Sequence, residues 1–159
     1  MSTTFHIIEL EQRVTKRNPL VPILASGVVA GTLDITSAFI LSGWGVCRFI
    51  AAGLLGPEAR HGGVGMWLLG FFLHYFIATS IAAVYCLSSR RLAFLVSHYL
   101  ICGPFYGMAA YLVMNLIVLP LSALHAQGPY HIEGLIQGLL IHMLLIGLPI
   151  GFVNARLSR

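Results

Sequence analysis

The chain has 159 residues, of which 58% are hydrophobic and 9% charged, where soluble domains carry about 25% charged residues. At a mean hydropathy of +0.89 it cannot clothe the large surface of a small globule in polar side chains, which excludes a soluble enzyme and a disordered chain. The formal charge of +4 is scattered in ones, twos and threes at the ends of apolar runs, as in an integral membrane protein and unlike the clustered footprint of a nucleic-acid-binding domain.

Residues 1–19 mix acids, bases and apolar residues and read as a short lead-in to the membrane domain, which occupies residues 20–155. The first span is predicted at about 20–41, where Asp34 is the sole charge between Arg17 and Arg48. No small-residue cleavage site follows this run, so it reads as a retained helix and not as a signal peptide. Trp44 to Gly56 places Phe49, Ile50 and Leu54 among small residues, a short interfacial or re-entrant helix with Trp44 at headgroup level. Uncharged runs predict the other spans at about 64–87, 92–119 and 132–153. The third stops at Pro120 and the turn-rich Ala126-Gln127-Gly128-Pro129, and residues 156–159 form a tail. The expected fold is an all-α bundle of four transmembrane helices.

Seven of the nine Lys and Arg residues flank the side holding both termini, and Arg48 and Arg60 lie on the other. This asymmetry predicts that both termini are cytoplasmic. Helices in lipid pack closely where residues are small, and G-x-x-x-G occurs at Gly27/Gly31, Gly103/Gly107, Gly134/Gly138 and Gly147/Gly151, with Ala78/Ala82 a variant. These faces suit a homo-oligomer or a subunit of a larger membrane complex, with the lipid bilayer and no nucleic acid as the surroundings. Pro104 and Pro149 are expected to kink their helices or to open the hydrogen-bond ladder locally. The shared patterns Gly70-Phe-Phe-Leu-His74 and Gly138-Leu-Leu-Ile-His142 hint at two related hairpins.

Ionisable residues inside spans are costly and turn toward the bundle interior. Asp34 follows Gly27 and Gly31 on one helix face, His142 follows Gly138, and His74 precedes Ala78 by one turn. Counted at ~1.5 Å per residue, Asp34, His74 and His142 share a level roughly 10–15 Å below the outer interface, with Asn115 somewhat shallower. This polar layer admits a structural clasp of hydrogen bonds, a proton or ion pathway, a bis-histidine haem b between His74 and His142, or a divalent metal on Asp34, His74 and His142. In the haem reading, the glycine four residues before each histidine would leave room for a flat ring. No cofactor is required by any motif. His98 is expected at an interface, and His125 and His131, with Glu133, in a solvated loop. Cys47, Cys86 and Cys102 lack C-x-x-C spacing and read as packing residues.

Walker A, G-x-S-x-G and H-E-x-x-H motifs are missing, no serine–histidine spacing suggests a nucleophile, and no catalytic residue is expected. One copy of four helices also encloses little room for a solute path, so a transporter would require an oligomer.

Taken in order, Gly31-Thr-Leu-Asp34, Arg48-Phe-Ile-Ala-Ala-Gly-Leu-Leu-Gly56, Leu73-His74, Asn115-Leu-Ile-Val-Leu-Pro-Leu-Ser122, and Gly138-Leu-Leu-Ile-His142 with Gly147-Leu-Pro149 carry a resemblance. From about Gly27 to Gly151 the chain resembles a family of small four-helix bacterial inner-membrane proteins to which no activity is attached. The likeness implies a multi-pass protein of the bacterial inner (plasma) membrane and supplies no catalytic role. The expected function is non-enzymatic: an accessory subunit or scaffold packing through glycine-rich faces, with proton or ion handling, or haem or metal binding, as the alternatives.

Overall fold

The computed structural model describes residues 18–125 and 131–158. The lead-in up to residue 17, the turn at 126–129 and Arg159 lie outside them. Every regular element among the described residues is helical. α1 (Leu20–Ser42) is followed by the ten-residue α2 (Val46–Leu55) and a 3₁₀ turn at Pro57–His61. α3 (Val64–Ser89) leads through the single turn α4 (Phe94–Ser97) to α5 (Tyr99–Leu121), and α6 (Ile132–Ser158) closes the fold. α1, α3, α5 and α6 are each long and apolar enough to cross a membrane.

Three boundaries differ from expectation, each for a local reason. The third apolar run breaks at His98, whose φ of −115° and ψ of 36° are not helical, so α4 and α5 are separate helices. α3 extends past 87 to Ser89 and α6 past 153 to Ser158, because the extra polar residues have partners. Asn154 Nδ2 donates to Ser89 Oγ at 2.9 Å, and Ser158 Oγ donates to Asn154 Oδ1 at 3.0 Å, all buried. The tail expected at 156–159 is therefore the last turn of α6 as far as Ser158, with Arg156 stacked 5.0 Å from the Phe152 ring.

Proline opens the helix ladder locally, as expected at Pro149, though not at Pro104. α5 runs through Pro104 as an α-helix. Widened π turns instead occupy Met114–Val118, just before Pro120, and His142–Gly147, just before Pro149. A proline ring collides with the carbonyl four residues earlier, here Leu116 and Leu145, and a π turn opens the ladder at that point.

These four long helices form a ring in the order α3, α1, α6, α5. α1 meets α3 where Gly27 lies against Thr79, with only 2.7 Å from an added Cβ to the Thr79 Cα, and where Gly31 faces Ala78 and Tyr75. α5 meets α6 backbone to backbone, Gly103 and Gly107 lying against Gly147 and His142, and Gly151 lies against Tyr99 and Gly103. Between α1, α3 and α6 sits a core of Ala30, Ala82, Tyr85, Ile146 and Ile150, none more than 3% exposed. The fourth side, between α3 and α5, is joined toward the end where α1 begins and α6 ends. There Tyr106 Oη donates to Ile81 O at 2.6 Å, Tyr85 Oη donates to Leu95 O at 2.9 Å, and the two rings lie 5.0 Å apart.

At the opposite end, α2 lies across α3 on a face of buried Cys47, Ala51 and Ala52, with the Cys47 carbonyl against Gly70. It is tied to the end of α5 by the Ala123 N–H, which donates to Gly53 O at 2.8 Å. We refer to this as the cap end. Phe39, Trp44, Trp67 and Phe71 stack in a row beside it, and Trp67 Nε1 donates to Trp44 O at 3.0 Å.

Candidate functional site

Every spanning helix contributes one strongly polar side chain to a single cavity. Asp34 of α1, His74 of α3, Asn115 of α5 and His142 of α6 all line a space of ≈ 630 Å³ near the cap end. Its walls are Leu73 and Ile77 of α3 and Met114 and Val118 of α5, and α2 roofs it with Phe49, Ile50 and Leu54. The packed core around Tyr85 and Ile150 closes the bundle beneath it.

Asp34 and His74 stand together as the shared depth suggested, yet they do not clasp directly. His74 Nε2 is 2.9 Å from Gly31 O on α1, and because a carbonyl only accepts, that nitrogen carries the hydrogen. The Asp34 carboxylate oxygen lies 4.0 Å from the same nitrogen, beyond hydrogen-bond distance. His74 is thus fixed across two helices by a backbone acceptor. The acid keeps its lone pairs toward the cavity.

His142 is held differently. Its Nδ1 donates to Gly138 O at 3.0 Å within its own helix, which places the neutral imidazole's lone pair on Nε2. The Tyr111 ring lies edge-on at 5.0 Å, and Asp34 and His74 are both within electrostatic range. Asn115 Nδ2 donates to Tyr111 O at 2.9 Å, leaving its amide oxygen as an acceptor. Asn115 and His142 both sit on the π turns, so the two prolines help place them.

The glycines that precede the histidines do not leave open space. Gly70 faces the Cys47 backbone, and Gly138 faces the Tyr111 ring. Among the described residues no three His, Cys, Asp or Glu side chains converge closely enough to hold a metal ion. The partly repeated hairpin pattern therefore hides two unlike environments, His74 bonding across the bundle and His142 within its own helix.

The remaining candidates fall elsewhere. His125 Nδ1 is 3.3 Å from Pro120 O at the end of α5, and His131 precedes α6. His98 sits at the α4–α5 break with its Nδ1 2.9 Å from Ser97 Oγ, a serine–histidine contact that spacing alone did not flag. That hydroxyl also lies 3.2 Å from Phe94 O and 3.4 Å from Ala93 O, so the helix carbonyls compete with the imidazole for its hydrogen. Burial pushes the Cys47 thiol above its ordinary pKa, which makes it a packing group and not a reactive thiolate.

Tyr75 and Tyr111 were missed by sequence reasoning. Tyr75 meets His74 edge-on at 5.6 Å and bonds Thr32 Oγ1 through its hydroxyl at 3.0 Å; Tyr111 shelves His142 and Asn115. The available signal was the phenol itself, since a tyrosine inside an apolar span needs a partner for its hydroxyl. Comparison of the chain with protein-family models, curated proteins and solved structures finds no match.

Proposed function

We propose that the protein is a proton-handling membrane protein whose cavity binds a small molecule and, on binding, takes up a proton from solution or releases one to it through Asp34, His74 and His142. One observation carries this reading: the polar residue of each of four helices lines the same ≈ 630 Å³ space. Cavities of about 300–1,000 Å³ hold small ligands, and acid–imidazole sets are the usual proton chemistry within membranes. The buried core beneath the cavity favours proton uptake or release on binding over a conduit from side to side. The termini are cytoplasmic in this reading, by the Lys and Arg asymmetry, and the membrane is the bacterial inner membrane. The cavity then opens within the outer half of the bilayer.

A scaffold reading has less to stand on. Gly27, Gly31, Gly103, Gly107, Gly138, Gly147 and Gly151 face neighbouring elements of this same chain, so those positions are not free to receive a partner. Gly134 lies half-buried in the first turn of α6.

Calorimetry with phenol as the probe tests the proposal, using purified protein in buffers of different ionisation enthalpy. At neutral pH the binding heat is expected to depend on the buffer, and to lose that dependence in Asp34→Asn and His74→Gln. Buffer-independent heats in the wild type would reject proton linkage.

A further inference from the structure

The cavity has a chemical preference that can be read from its hydrogen bonds. His142 Nδ1 is committed to Gly138 O, His74 Nε2 to Gly31 O and Asn115 Nδ2 to Tyr111 O. What these bonds leave turned outward is a set of acceptors: the Asp34 carboxylate, the His142 Nε2 lone pair and the Asn115 amide oxygen. Such a set calls for a hydrogen-bond donor. Phosphate and carboxylate heads, which are acceptors and anions, would face Asp34 with no Lys or Arg on the cavity wall among the described residues. An ammonium head would have to give up its hydration and bury its charge in a largely apolar pocket.

The rest of the cavity says where such a molecule comes from. α2 and its tie to Ala123 cover the cap end, and the core around Tyr85 closes the floor. The side between α3 and α5 is left. Its rim carries Phe76, 69% exposed, Leu54, 59% exposed, and Val118, 39% exposed, all also lining the cavity. α3 and α5 are both apolar enough to span a membrane, so this rim faces acyl chains if the helices cross the bilayer.

We propose that the cavity binds a neutral, single-chain amphiphile with a hydroxyl head, of the long-chain alcohol or prenol class, admitted sideways between α3 and α5. The head lies among Asp34, His142 and Asn115, and the chain passes between Phe76 and Val118 into the lipid. This assignment rests on the cavity's role as a proton-linked ligand site, the hydroxyl donating a hydrogen bond to the Asp34 carboxylate while keeping its own proton.

The test uses the full chain in phosphatidylcholine nanodiscs with a hexadecanol probe carrying a diazirine on its chain, followed by irradiation and peptide mapping. Labels are expected on Phe76, Met114 and Val118, reduced about tenfold by excess hexadecanol and unchanged by hexadecane. Val118→Trp, which narrows the rim, is expected to lose the labels on Phe76 and Met114. Ile77→Trp serves the same purpose should that variant fail to fold. Labels spread evenly over lipid-facing positions such as Leu33 and Val84, or equal competition by hexadecane, would overturn the proposal. So would stronger competition by hexadecyl phosphate or hexadecylamine. Specific labelling without proton linkage would refute the proton-handling reading but keep the hydroxyl ligand; proton linkage with non-specific labelling would refute the ligand alone.

Discussion

His74 and His142 share a motif, yet their bonds differ in consequence. His74 links α3 to α1 through Gly31 O, whereas His142 bonds to its own helix. Removing the first loosens the bundle; removing the second costs packing against Tyr111. His74→Ala is therefore expected to lower stability by about 1–2 kcal/mol, the range for interhelical hydrogen bonds in membranes. His142→Ala should cost clearly less, and thermal melts in detergent will check the order. Equal losses would mean that the cross-helix bond adds nothing. The four polar residues were legible in the sequence because a charge or imidazole is rare in an apolar span. Their partners were not, because the acceptors are backbone carbonyls, which every residue carries.

The π turns of α5 and α6 show how one residue type sets the geometry of an element. Pro149 stands directly after the turn that begins at His142, and Pro120 follows the one that contains Asn115. Pro149→Ala restores a donor at that position and removes the ring, so the π turn is expected to relax to α-helix. His142 should then leave its contact with Tyr111, visible as a changed imidazole ¹⁵N spectrum, with His74 unaltered. An unchanged His142 spectrum would show that packing, and not proline, holds the turn. The glycine contacts act at the same scale. A side chain at Gly147 would strike the backbone of Gly103 and Gly107, so Gly147→Leu is expected to cost at least the ~1–3 kcal/mol typical of overpacking. Chemical denaturation in mixed micelles measures this. If the glycine face served another protein instead, the fold would keep its stability and only assembly would fail.

Across the whole molecule, the ring of helices is closed on three sides and bridged on the fourth by Tyr106 and Tyr85. Tyr106→Phe deletes the bond to Ile81 O and should lower stability by about 0.5–1.5 kcal/mol, the usual net worth of one hydrogen bond. It should also raise the exchange rate of α3 and α5 backbone amides toward the end where α1 begins and α6 ends, read by hydrogen–deuterium exchange. Protection equal to wild type would show that ring packing alone holds that side. The open side also breaks the symmetry that the repeated Gly-x-x-x-His pattern suggested, since the close α1–α6 packing is answered between α3 and α5 only by that tyrosine bridge.

Apolar run lengths and the placing of charges determined four helices long and apolar enough to span a membrane, because an apolar segment of about 20 residues with at most one charge has few other stable homes. The helical period likewise determined that Asp34 shares a face with Gly27 and Gly31. Tertiary structure alone decided that Asp34, His74, Asn115 and His142 border one void, and that glycine positions expected to greet partners meet other parts of the same chain. Such outcomes depend on which helices become neighbours and how closely, a matter of side-chain shape fitted across residues 43 to 65 positions apart, such as Gly31 with His74 and Ser89 with Asn154. Local periodicity holds no record of those distances.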